Sequence, residues 1–333
     1  MRWKPLTAIS WLQLTMDKQP GPLTPKPRYR AVIISPHLDD AVFSCGGVIA
    51  QMVKEGPVLV LNLFTRYLSE VKIRGVVLGD ERYQEEADAA RFLGYESRNL
   101  GELDVSFRRE AYKKLGNIFR PPVAEDLEWL PSLREKVFGV LEELDYQQLY
   151  VPLGIGWHVD HTLTHLLFEP WAGREGLLYY EDAPYCCIPH STRYRLNEIA
   201  IYPRASGDTG LAPINETRAW WQAAMAYADT ALMKNLEPWI VRKLAVPVVS
   251  FYLHGLMALH RKLASAAAAK RRLGTLVVPI GDQFERKVDA MALYRSQFKE
   301  FFSDRGDCVA TLMAYANRTQ AGGLPVERYW VMQ

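Results

Sequence analysis

"AVIISPHLDDAVFSCGGVIAQMVKEGPVLVLNLFT", residues 31–65, carries the reading of the fold. Residues 31–34 are a short apolar run rich in β-branched side chains, the pattern of a strand buried on both faces of a parallel sheet. From Ala41 the apolar residues recur at helical spacing and stop at Gly56, after which "PVLVLNLFT" supplies a second buried-strand run. Strand, helix and strand in this order make a βαβ unit. His37, Asp39 and Asp40 stand just beyond the first strand. Two adjacent carboxylates repel, so the pair costs free energy unless a cation or a shared proton compensates. A bound metal ion is the first explanation.

Working outward, "ERYQEEADAARFLG" (81–94) is an amphipathic helix closed by Gly94. "PSLREKVFGVLEELD" (131–145) opens on Pro131, which suits a first helical turn, and "QQLYVPLG" (147–154) is a further strand. "LLYYED" (177–182), "EIAIYP" (198–203) and "TLVVPI" (275–280) read as strands; "TRAWWQAAMAYADT" (217–230) and "DQFERKVDAMALYRSQFKEFF" (282–302) read as helices. The alternation predicts an α/β fold, a doubly wound, mostly parallel, Rossmann-like sheet. A helical insertion at about 230–273 falls in its C-terminal half. Residues 1–28 are expected to be a surface segment and 29–333 a single domain.

With 40 basic and 38 acidic residues the net charge is +2, which removes the electrostatic argument for nucleic acid as a partner. Cys45, Cys186, Cys187 and Cys308 form no C-x-x-C pair and are too few for a disulfide framework, so a cytoplasmic location is expected. "LAVPVVSFYLHGLMALH" (244–260) is interrupted by Pro247, His254 and Gly255 and falls short of the ~20 residues of a spanning helix. Peripheral membrane contact and oligomerisation through the insertion remain as expectations.

A second polar cluster, "GIGWHVDHTLTH" (154–165), follows a strand, so two loops at one sheet edge share a cleft. A catalytic zinc takes three protein ligands and keeps a position for water. His37, Asp40 and His161 supply such a set, leaving Asp39 free as a general base. A competing set pairs His161 with His165, one helical turn apart but without the usual intervening Glu. His158 falls on the side of His161 beyond the ion, and Asp160 is expected to keep its imidazole protonated and oriented. Arg82 can fork onto a substrate anion or hydroxyl; its structural alternative is a salt bridge with Glu86.

Together, "SPHLDDAVFSCGG" and "GWHVDH" resemble the PIG-L/LmbE-like family of metal-dependent N-acetylglucosaminyl deacetylases. "RYQEEADAARFLG", "YYEDAPY" and "KVDAMALYRSQ" resemble further family segments, in the same order, between about residues 30 and 300. The resemblance implies zinc, or a similar divalent metal, on His37, Asp40 and His161. It also implies Asp39 as base, His158 with Asp160 on the acid side, and Arg82 and Asp104 at the substrate. The implied reaction is hydrolysis of the acetamide of an N-acetylglucosamine-type conjugate. Amidase action on a sugar-linked thiol conjugate and a non-catalytic sugar-binding role are the alternatives. Ala41 replaces a Glu common in the family, and Trp157 stands where a smaller residue often precedes the histidine.

Overall fold

The computed structural model describes residues 25–68, 79–113, 115–198, 216–228, 273–319 and 322–332, with isolated positions 247, 251 and 255. Its centre is β1 (Arg28–Ser35), whose residues Ala31–Ile34 are wholly buried, as a strand covered on both faces requires. Parallel neighbours are β2 (Val58–Asn62) on one side and β4 (Asp145–Pro152) on the other, with β3 (Glu96–Asn99) beyond β2 and β5 (Leu177–Tyr180) beyond β4. Two antiparallel strands, β7 (Val326–Met332) and β6 (Leu273–Pro279), complete the order β3-β2-β1-β4-β5-β7-β6. The sheet is therefore mostly parallel, as expected, with an antiparallel edge.

The chain leaves β1 toward β2 and β3 and later returns to β4 on the other side. That reversal opens a crevice beyond the carboxyl ends of β1 and β4, where ligands of open α/β sheets collect.

The helices are α1 (Asp40–Met52), α2 (Asp80–Leu93), the single turn α3 (Val105–Arg108), α4 (Ala124–Glu142) and α5 (Val159–Leu167). They continue as α6 (Ser191–Glu198), α7 (Glu216–Ala228), α8 (Phe284–Leu293), α9 (Arg295–Phe301) and α10 (Arg305–Arg318). Gly94 ends α2 with φ 88°, the left-handed C-cap that favours glycine. Pro131 lies inside α4 rather than in its first turn, because the helix begins at Ala124 on a chain whose acidic residues Glu125 and Asp126 suit a helix start. The segment 282–302 is two helices, broken at Tyr294 (ψ 63°), whose hydroxyl is drawn to the buried Glu86. Strand "EIAIYP" beyond Glu198 and the insertion at about 230–273 lie outside the described residues, apart from the three isolated positions. Among the described residues no helix is long and apolar enough to cross a membrane, and all four cysteines are free and buried.

The antiparallel edge is tied to α1 by Glu327 of β7, which accepts the backbone N–H of Gly47 (2.8 Å) and Val48 (2.9 Å) and pairs with Lys287 at 2.7 Å. Gly47 permits this approach: a Cβ there would sit 2.7 Å from Ile280.

Candidate active site

The loop after β1 is folded onto itself before α1 begins. Ser35 Oγ accepts the Ala41 N–H at 3.0 Å, and Asp40 Oδ2 accepts the His37 N–H at 2.9 Å. The same Asp40 oxygen lies 3.0 Å from His37 Nδ1 and 3.2 Å from His161 Nε2. Two distant loops thus meet on one carboxylate oxygen. Donors around a tetrahedral zinc with ~2.0–2.1 Å bonds sit ~3.3 Å apart, close to the two separations that Asp40 makes with these imidazoles.

The surrounding hydrogen bonds also fit. His161 Nδ1 meets Asp182 Oδ1 at 2.7 Å, which turns Nε2 toward Asp40. Asp182 Oδ2 in turn accepts the N–H groups of Gly154 and Ile155, both at 2.8 Å, and so fixes the loop leading to α5. On His37 the other nitrogen, Nε2, meets Asp160 Oδ2 at 3.1 Å.

Titration follows from this crowding. Burial opposes charge on both imidazoles, but Asp160 and Asp40 hold His37 well above its ordinary range, and Asp40 with Asp182 lifts His161 to about 9. Burial works to raise Asp40, yet the neighbouring imidazoles, His161 foremost, hold it well below the usual carboxylate range. Its neighbour moves the other way: burial, opposed by Arg82 and reinforced by Asp40, pushes Asp39 up. The cluster is a seat for positive charge that protons occupy and a metal ion can replace.

Arg82 reaches this site from α2, its Nη2 donating to Asp39 Oδ1 at 2.6 Å, with the guanidinium 5.5 Å over the Tyr67 ring. The alternative salt bridge to Glu86 is not formed; Glu86 instead accepts from Asn62, Ser97, Tyr95 and Tyr294. Asp104 caps α3 by accepting the Ser106 N–H at 2.9 Å, and its other oxygen lies 3.6 Å from His37 Nε2.

His158 stands edge-on to His37 (4.9 Å) and 5.3 Å from the His161 ring. Asp160 directs its carboxylate to His37, to the Val105 N–H and to Arg108 rather than hydrogen-bonding His158, although its charge still favours the protonated imidazole. His158 Nδ1 instead accepts the Asp160 N–H at 3.3 Å, capping α5. Burial and the charge on His37 push its pKa well down. His165 is buried against Tyr179 with Nδ1 3.2 Å from the Pro152 carbonyl, a packing role, so the set pairing it with His161 is not assembled.

Several contributors escaped the sequence reading. Asp182 is the partner of His161, while Glu181, one residue earlier and facing the opposite side, accepts from Arg328, Trp330 and Tyr315. Neither Tyr179 nor Tyr180 faces the cleft; their hydroxyls donate to the Phe168 and Ile34 carbonyls. Tyr185 covers His161 at 5.7 Å and leaves room only for glycine at 156, where a Cβ would meet its ring at 2.4 Å. Glu300, half-buried on α9, senses both Asp39 and Arg82; burial first, then the Asp39 charge, pushes it up to about 7.

The fold and this buried histidine–carboxylate cluster define a doubly wound α/β protein with a metal-type site at its switch point. Residues 32–172 match the model of the PIG-L family, described as GlcNAc-PI de-N-acetylase. It is similar to 2'-N-acetylparomamine deacetylase of Streptomyces fradiae, 30% identical over 166 residues, which covers 47% of this chain. The match spans 58% of that relative's length. Among solved structures, a deacetylase of the teicoplanin biosynthesis pathway aligns with TM-score 0.59 at 17% identity over 92% of this chain and 98% of that one. A40926 pseudoaglycone deacetylase aligns with TM-score 0.56 at 19% identity, over 92% and 98%. These two likenesses concern the fold.

Proposed function

We propose that the chain is a metal-dependent N-deacetylase, using zinc or a similar divalent ion to hydrolyse the acetamide of an N-acetylglucosamine-type conjugate to acetate and a free amino sugar. The observation that carries this reading is the convergence of His37 Nδ1 and His161 Nε2 on Asp40 Oδ2, with the second acid, Asp39, left outside that contact. The substrate class is supported by the PIG-L match over residues 32–172 and by the named activity of the Streptomyces fradiae relative.

His37, Asp40 and His161 would hold the ion. When bound, it supplies a water whose pKa falls to ~7 and an electrophile for the acetamide oxygen. Asp39, kept in place by Arg82, takes the proton of the attacking water. His158 donates from Nε2 to the carbonyl oxygen as negative charge gathers there, an effect worth roughly 3 kcal/mol for a well-placed donor. Burial favours a neutral His158, which keeps its proton, and the leaving nitrogen is protonated by Asp39, which returns the proton it accepted. Arg82 and Asp104 flank the approach, with Arg82 acting first on Asp39 and Asp104 facing His37.

Residues 29–333 are read as one domain, supported by a single sheet that takes strands from both Arg28–Ser35 and Val326–Met332. Four buried thiols accord with a reducing, cytoplasmic setting. Oligomer or membrane-surface contact through the insertion is tested by light scattering and liposome sedimentation. Acetate release across a panel of N-acetylglucosamine conjugates, run with zinc-loaded wild type and His161→Ala, tests the main reading. Wild-type protein that binds no divalent metal and releases no acetate from any member would overturn it.

A further inference from the structure

His37 carries a carboxylate at each edge of its ring. Nδ1 faces Asp40 at 3.0 Å, while Nε2 faces Asp160 at 3.1 Å and Asp104 at 3.6 Å. His37, Asp104 and Asp160 therefore form a group close enough to hold a cation, as do His37, His158 and His161, and the first competes for the imidazole that Asp40 and His161 also approach through Asp40 Oδ2.

Arg108 separates the two edges. Its buried guanidinium lies 2.7 Å from Asp160 Oδ1, donates to the Leu103 carbonyl at 2.9 Å and reaches Asp126 at 3.2 Å. The rings of Phe64, Trp129 and Tyr112 surround it at 5.0, 5.5 and 5.9 Å. Asp126, wholly buried, is itself held by Arg109 and the Tyr112 hydroxyl, both at 2.9 Å. A fixed guanidinium on Asp160 disfavours a dication on the same carboxylate. It also leaves Oδ2 to accept from the Val105 N–H at 3.0 Å and from His37.

We propose that Arg108 is a positioning residue: acting through Asp160, it commits His37 Nε2 to a hydrogen bond and so directs Nδ1, with Asp40 and His161, to the ion. The inference rests on the ligand set proposed above. It extends the usual support of a metal-bound histidine by one further layer.

The test uses zinc-loaded full-length protein labelled with ¹⁵N-histidine. In wild type, long-range ¹H–¹⁵N spectra should place the His37 proton on Nε2 and the metal on Nδ1. Arg108→Gln should weaken zinc binding about 10-fold, measured against a chromogenic chelator, and should disturb that nitrogen pattern. Arg108→Lys keeps the cation, but one ammonium cannot meet Asp160, Asp126 and the Leu103 carbonyl together, so a loss of about threefold is expected. It serves as the comparison if the Gln variant does not fold. Wild type that takes up no zinc overturns the ligand set and this inference with it. Zinc binding lost in His161→Ala but unchanged, with the same His37 spectrum, in a folded Arg108 variant overturns the inference alone.

Discussion

Replacing Glu86 by Gln should stabilise the protein at pH 8 while changing it little at pH 5. Glu86 is almost wholly buried on α2, one turn beyond Arg82, and burial, only partly offset by hydrogen bonds from Ser97, Tyr294, Asn62 and Tyr95, raises its pKa from 4.5 to about 7. Between those values the folded protein keeps a proton that the unfolded chain gives up. Stability therefore falls as pH rises through this window, and the loss is complete above the folded pKa. At ~1.36 kcal/mol per pH unit, the gap from 4.5 to about 7 comes to roughly 3 kcal/mol, an upper bound for the gain at pH 8. Gln suits the site: its oxygen can accept from Asn62 and Ser97, and its amide can donate to the two tyrosine hydroxyls, which already lie 3.2 Å apart. Urea unfolding of both proteins at pH 5, 6, 7 and 8 measures the difference. Parallel curves, with no gain that grows toward pH 8, would refute the assignment of a buried proton to Glu86.

Asp39→Asn should keep its metal and fold yet lose about 10²-fold or more of acetate release, read as kcat with metal content measured alongside. Asp182→Asn removes the carboxylate that orients His161, so zinc affinity should fall 10- to 100-fold in a chelator competition while the far-UV spectrum is unchanged. Gly47→Ala places a methyl 2.7 Å from Ile280 and should cost about 1–3 kcal/mol in urea unfolding, through strain between α1 and the segment following β6.

The closing segment with Tyr294, Ser296 and Gln297 illustrates why motif likeness did not assign roles. Tyr294 is bound to Glu86, and Ser296 donates to Glu85 at 2.6 Å, so the segment braces α2 from behind. Glu85 and Glu86 had the spacing of a polar helix face. They are buried because α8 and α9 pack over them, a contact between positions some 200 residues apart that no local pattern records.

What was legible in the amino-acid order was local in origin. A β-branched run followed by a helical repeat can be read as βαβ because backbone geometry imposes those periods, and the positions of His37, Asp39, Asp40, His158 and His161 at strand ends follow directly. Strand β7, the antiparallel direction of β6 and the third strand, "ESRN", were not read, since they are set by neighbours rather than by pattern. The three-dimensional arrangement also redistributed the polar partners. Asp160 serves His37 across 123 positions of chain, Asp182 serves His161, and Arg82 serves Asp39. Sequence names the ionisable groups that must be compensated when buried. Which group compensates which is decided only when folding removes water and brings distant charges within hydrogen-bond reach.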